Sequence, residues 1–156
     1  MNVFNRWLLT AVFAFLIAAP KVKAGAYTFQ TLNNSADPAF NQLLGINNSG
    51  VIAGYDGDGN ALPNKGYVLS SPYGSGNYVS ENFPNSAQTQ VVGINNRSTP
   101  VTVGFWADNM ANNFGFVDQN GVFTSVQDPG TPAAATTVNQ LLGVNDSNIA
   151  FRRRGR

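Results

Sequence analysis

The chain has 156 residues, of which 43% are hydrophobic and only 11% charged, enough apolar side chain for one domain with a buried core. It contains no Cys and no His, which excludes disulfides, thiol catalysis, a Ser-His-Asp triad, a conventional zinc centre and a His-ligated haem. Seven of its nine cations lie near the ends (Arg6, Lys21, Lys23, Arg152, Arg153, Arg154, Arg156), so the body sets Lys65 and Arg97 against all eight acids; an acidic body argues against nucleic acid as a partner.

Residues 1–24 read as a secretory signal peptide. Arg6 supplies the positive start, residues 7–19 form an uncharged, mostly apolar run, Pro20 breaks it, and Val22-Lys23-Ala24 offers small residues before a cut ahead of Gly25. A membrane anchor needs ~20 apolar residues, and this run is shorter. The expected product is therefore exported, without a membrane span once the leader is removed. Export without Cys fits a bacterial extracellular or envelope protein.

From residue 25 the chain repeats. Gly25-Ala26-Tyr27-Thr28-Phe29 returns as Gly76-Asn77-Tyr78-Val79-Ser80 and Gly121-Val122-Phe123-Thr124-Ser125, each an extended run leaving a turn. Leu43-Leu44-Gly45-Ile46-Asn47-Asn48 returns as Val91-Val92-Gly93-Ile94-Asn95-Asn96 and Leu141-Leu142-Gly143-Val144-Asn145-Asp146. Asn47-Asn48-Ser49-Gly50 reads as a turn through the tolerance of Asn and Gly for positive φ. Val51-Ile52-Ala53-Gly54-Tyr55, matched by Val101-Thr102-Val103-Gly104-Phe105, is the return strand. A second loop, residues 56–60 or 108–113, leads to Lys65-Gly66-Tyr67-Val68-Leu69 or Phe114-Gly115-Phe116-Val117. Four antiparallel strands in about 50 residues is the period of a β-propeller blade.

The predicted fold is thus all-β: four-stranded antiparallel repeats forming a partial, propeller-like domain over residues 25–150, about two and a half blades, with a basic tail at 151–156. The expected phase has a stray fourth strand at the start and a first strand at the end. Closed propellers typically have four to eight blades. Two readings of the tail stand side by side: a solvated basic run, or a truncated or shifted reading frame with the rest of the ring missing. A whole chain of this length requires a homo-oligomer to complete a ring.

Gly45-Ile46-Asn47-Asn48-x-Gly50 and Gly121-Val122-Phe123-Thr124 with Pro129-Gly130 resemble the bacterial extracellular HAF-repeat proteins across residues 25–150. The family's His-Ala-Phe triplet is replaced here by Lys65-Gly66-Tyr67 and Phe114-Gly115-Phe116, so no role of that His carries over. The resemblance implies secretion and a propeller-like repeat, with no activity attached.

Candidate chemistry is sparse. Asp56-x-Asp58-x-Asn60 has the spacing of the first three ligands of a calcium loop, but Ala61 stands at the sixth position and Tyr67 at the twelfth; the loop reads first as a hairpin turn and second as an extracellular calcium site. The one Glu, Glu81, reads as a solvated strand residue, and a hydrolytic acid pair would need a turn aspartate such as Asp56 or Asp108 as its partner. Tyr27, Tyr55, Tyr67, Tyr78, Phe105, Phe116 and Phe123 recur at equivalent places, as blade core. Trp106 follows Phe105 in an alternating strand, so the two face opposite ways, and Trp106 is the candidate ligand platform. The sequons Asn47-Asn48-Ser49 and Asn96-Arg97-Ser98 read as turns. These features describe a secreted, non-catalytic binding or surface-structural protein of unspecified ligand, with an extracellular carbohydrate-binding module and a fragment of a propeller-type hydrolase as alternatives.

Overall fold

The structure is a computed structural model that describes residues 28–37, 39–130 and 138–154. The expected signal peptide lies outside the described residues. The chain divides into two units, Met1–Gln30 and Thr31–Arg156, and every described strand belongs to the second.

The fold is all-β. β1 (Asn41–Ile46), β2 (Ile52–Asp56), β3 (Lys65–Leu69) and β4 (Tyr78–Ser80) form one antiparallel sheet in sequential order. β5 (Gln88–Ile94), β6 (Val101–Ala107), β7 (Asn113–Gln119) and β8 (Val122–Val126) form a second of the same topology. β9 (Asn139–Val144) and β10 (Ala150–Arg154) form a two-stranded third. The sheets stack in chain order: β5 packs across β2 and β3, β9 packs across β6 and β7, and β1, β5 and β9 lie side by side. This is an open, propeller-like arrangement. Among the described residues no helix is long and apolar enough to cross a membrane.

Two expectations about the ends are corrected. Residues 28–34 carry no strand, although they copy the fourth strand of the repeat. A fourth strand pairs with the third strand before it, as β4 does with β3. Residues 151–154 of the basic run lie in β10. Phe151 and Arg152 are paired to Gly143 and Leu141 within β10, and Arg152 Nη1 lies 2.7 Å from Asp128 Oδ2.

The turns differ from expectation in mechanism. In the first, the left-handed residue is Gly50, at φ 75°; Asn47 does its work with its side chain. Its Oδ1 accepts from Ser49 N at 3.1 Å and Val51 N at 2.9 Å. Asn145 Oδ1 does the same with Ser147 N and Ile149 N. Asn95 spans a longer loop, accepting from Val101 N at 2.8 Å. The amide nitrogens then run between sheets. Asn47 Nδ2 donates to the Asn95 carbonyl and Asn95 Nδ2 to the Asn145 carbonyl, each at 3.2 Å. A second rail runs beside the first: Asn48 N donates to Asn96 Oδ1 and Asn96 N to Asp146 Oδ1, each at 2.7 Å.

Glycine permits this spacing. A Cβ on Gly93 would lie 2.9 Å from the Gly143 Cα, and one on Gly45 would lie 3.1 Å from the Val92 carbonyl oxygen. The repeated Gly is therefore a site of close backbone approach between neighbouring sheets. Outward from it the core divides. Ala53, Val91 and Phe116 form the cluster between the first two sheets, with Phe83, Ile94, Trp106 and Phe123 packed on it. Ile52, Tyr67 and Leu69 form the cluster on the other face of the first sheet, with Leu32, Tyr73 and Tyr78. Leu32 and Phe83 hold equivalent repeat positions, so each docks on the sheet that follows it.

Asn95 is 2% exposed, and its loss strands both the Val101 amide and the Asn145 carbonyl. Asn95→Ala is expected to cost about 2–3 kcal/mol in urea unfolding, whereas Asn145→Ala, at the exposed end of the ladder, costs about 1 kcal/mol. Equal losses would refute a ladder that is strongest where it is buried.

Candidate functional site

The residues that distinguish one copy of the repeat from the next lie at two places. The first is inside the packing between the four-stranded sheets. Ile52 and Leu69 are cross-strand partners in the first sheet; the corresponding pair in the second is Thr102 and Asp118. Glu81, leaving β4, joins them. Its main chain donates to Gly66 O at 2.9 Å, and its carboxylate accepts from the Thr102 hydroxyl. Glu81 and Asp118 are each 8% exposed. The reading of Glu81 as a solvated strand residue is thereby corrected: its strand ends between two sheets, not at solvent, and its acidic neighbour is Asp118 rather than a turn aspartate. Burial, with the Asp118 charge adding to it, pushes the Glu81 carboxyl from its ordinary 4.5 up to about 7, against the lowering effect of Thr102. Burial also raises Asp118, whose Oδ1 has no hydrogen-bond partner. Two neighbouring acids are the equipment of glycoside hydrolysis, but a substrate must reach both, and this pair sits within packed sheets.

The second place is the far end of the first sheet. In the second sheet that end is filled by aromatics: Phe83 stacks on Trp106 with centroids 4.4 Å apart and planes parallel, and Phe114 lies 4.7 Å from the same indole. Trp106 Nε1 donates to Ser125 Oγ at 3.2 Å. The sequence reading of Trp106 as a ligand platform is replaced by this packing, because neighbouring rings engage it. In the first sheet, Asp56 stands in register where the second has Trp106, and Lys65 where it has Phe114. Beside Asp56 and Lys65 is an open cavity of about 440 Å³, lined by Asn34, Asp56, Lys65, Tyr67, Tyr78 and Asn82 among others. Tyr67 and Tyr78 meet edge to face at 4.9 Å, and Tyr78 Oη is buried without a partner. Tyr67 is pushed above the ordinary tyrosine range by burial first, then by Tyr78 and Asp56. Burial raises Asp56, with Asp37 adding and Lys65 opposing.

The calcium-like loop resolves into turn chemistry. Asp58 Oδ1 accepts from Asn60 N at 2.8 Å and Leu62 N at 3.1 Å. Asp108 repeats the pattern with Met110 N and Asn112 N. These backbone amides lower the Asp58 carboxyl, and the Asn112 side chain is foremost in lowering Asp108. Asp56 is in β2 and faces the cavity instead, and Asn60 contributes its backbone amide to Asp58. The described residues contain no group of three acidic, His or Cys side chains able to hold a metal ion.

Phe105 faces away from Trp106, as alternation required. It lines a smaller groove of about 240 Å³ with Asn64, Gln88, Gln90 and Asn113. Sequence reasoning missed the Glu81–Asp118 pair and the Asp56–Lys65 cavity alike. The signal lay in the strands: a polar residue where the other copy is aliphatic, and a charged one where the other copy is aromatic.

The raised Glu81 value sets a sign for stability against pH. The folded protein holds that proton more tightly than the unfolded chain, so the contribution is full below pH ~4.5 and is lost as pH rises through about 7. Its size is on the order of 3 kcal/mol. Thermal melts are expected to fall in Tm between these limits, and Glu81→Gln, which stays neutral, is expected to flatten that fall. A variant with an unchanged slope would assign the slope to other groups.

No protein-family model, curated protein or solved structure matches the chain.

Proposed function

We propose that this is an exported, non-catalytic β-repeat protein of the kind the HAF-repeat resemblance implies, and that it binds extracellular carbohydrate in the cavity walled by Tyr67 and Tyr78. The observation that carries this reading is that Asp56 and Lys65 stand where the second sheet has Trp106 and Phe114, on the face of the first sheet that no other described sheet covers. That face carries an open space of about 440 Å³, within the roughly 300–1,000 Å³ of small-molecule sites.

The lining suits a polyhydroxylated ring. Tyrosine faces give apolar area for the C–H face of a sugar, while Asp56, Asn34 and Asn82 supply acceptors and amide donors for its hydroxyls. Asp56 and Lys65 oppose one another in charge, so the site favours a neutral ligand over a phosphate or a polyanion. The groove beside Phe105, also amide-lined and free of charged side chains, is a smaller site of related chemistry.

A glycan array probed with the exported protein is expected to show binding to neutral oligosaccharides that persists at high salt. Asp56→Asn and Tyr78→Ala are expected to weaken the best hit about tenfold or more, the equivalent of ~1.4 kcal/mol, while Phe105→Ala leaves it unchanged. No neutral glycan bound by the parent protein, or full binding by Asp56→Asn, would overturn the assignment.

A further inference from the structure

The interface between consecutive sheets is built from the same elements each time, and both of its halves are left exposed at the ends of the stack. Ala53 and Val103 pair with the repeated glycines Gly45 and Gly93 and are fully buried. Phe151 pairs with Gly143 in the same register and is 62% exposed. On the opposite side, Val91 and Leu141 are buried against the preceding sheet, whereas their equivalent Leu43 is 42% exposed. Leu43, Leu44, Ile46 and Ile52 wall an apolar cavity of about 230 Å³. One end of the stack therefore presents an aromatic knob and the other an aliphatic hollow.

The polar rails end in the same complementary way. Within the chain, each rung donates from the earlier sheet to the later one. At the last sheet the donors of the next rung are Asn145 Nδ2 and the Asp146 amide. At the first sheet the matching acceptors are the Asn47 carbonyl and Asn48 Oδ1. Asn48, Asn145 and Asp146 are all exposed.

We propose that the chain associates head to tail with a second copy of itself, the β9–β10 end of one copy docking on the β1 face of the next. Phe151 enters the hollow beside Leu43, and the two rails continue from Asn145 and Asp146 to Asn47 and Asn48 of the neighbouring copy. A partner of this chemistry is specified more narrowly than by apolar area alone, because it must supply rail donors as well as an apolar knob. The Phe151 ring rests against Gly143, at the place a following sheet takes elsewhere. Its rotation off the glycine, a fast motion for an exposed side chain, completes the fit. The contact is heterologous, so it either closes into a ring or extends as a filament. Two copies bring six first strands, within the roughly four to eight blades of closed propellers. The proposed contact uses the Leu43 hollow on β1, whereas the cavity lies along β2, β3 and β4, so the two sites occupy different parts of the first sheet. The association is independent of carbohydrate binding.

The test is mass in solution by light scattering for protein purified from an exporting host. The parent protein is expected to be a dimer or larger. Leu43→Glu and Phe151→Glu, both at exposed positions and checked for fold by circular dichroism, are each expected to fall to monomer mass. Mixing the two variants is expected to restore a dimer, since one intact Leu43–Phe151 contact remains between them. A monomeric parent, a single variant that still dimerises, or a mixture that stays monomeric would each overturn the proposal.

Discussion

One side chain, the asparagine that ends the first strand of each unit, sets the spacing of the whole stack. Its carbonyl oxygen folds the following turn and its amide nitrogen reaches the next sheet. Asn47 and Asn95 perform both tasks while 6% and 2% exposed. A buried amide is costly unless both ends are satisfied, so each turn can be buried only if the neighbouring sheet is in place. Stability and register are coupled through the same few atoms. The inter-sheet bonds connect residues 48 and 50 apart, which is the repeat length, so the period of the sequence is a period of hydrogen bonding. Aspartate takes the local half of this role at the opposite turns. Asp58 and Asp108 cap their loops, and that use of the carboxylate accounts for the calcium-like spacing as turn chemistry.

Outward from the ladder, conserved geometry carries unlike side chains. The Ile52–Leu69 pair becomes Thr102–Asp118, and the place of Trp106 is taken by Asp56. Both exchanges trade apolar contact for charge. In the second sheet the charge is enclosed, and Glu81 answers by holding a proton to about pH 7. In the first sheet the exchange stands beside open space and two tyrosines. A related adjustment is seen at Tyr67, whose hydroxyl meets Asn41 and lies 3.1 Å from the Gln42 carbonyl. The equivalent Phe116 needs no such partner, and the place of Asn41 is taken by Thr89, whose Oγ1 accepts from Phe83 N at 3.0 Å. A buried hydroxyl and its acceptor have changed together.

The stack also explains why its ends differ from its middle. Positions that are buried in the middle, Val91 and Val103, have exposed equivalents at the termini of the array, Leu43 and Phe151. Repeat architectures bury each unit's faces only against neighbours. Leu43, Leu44 and Ile46 are accordingly exposed where no other described sheet packs on the first one.

The sequence by itself determined the all-β class, the four-strand unit and the positions of the hairpins, because the period of about 50 residues and the alternation within each strand are local patterns. It also determined that Phe105 and Trp106 face opposite ways, since alternation leaves no other choice. Only the tertiary structure decided what each polar residue is for. Asn47 looked like a residue chosen for positive φ, and its role as a strut to Asn95 depends on a neighbour 48 positions away. Glu81 looked solvated, and its burial depends on a sheet that begins several residues later. Trp106 looked available, and its stacking on Phe83 depends on how the second sheet receives the preceding segment. Secondary structure follows from interactions between residues close in the chain, whereas burial and hydrogen-bond satisfaction are set by which sheets become neighbours.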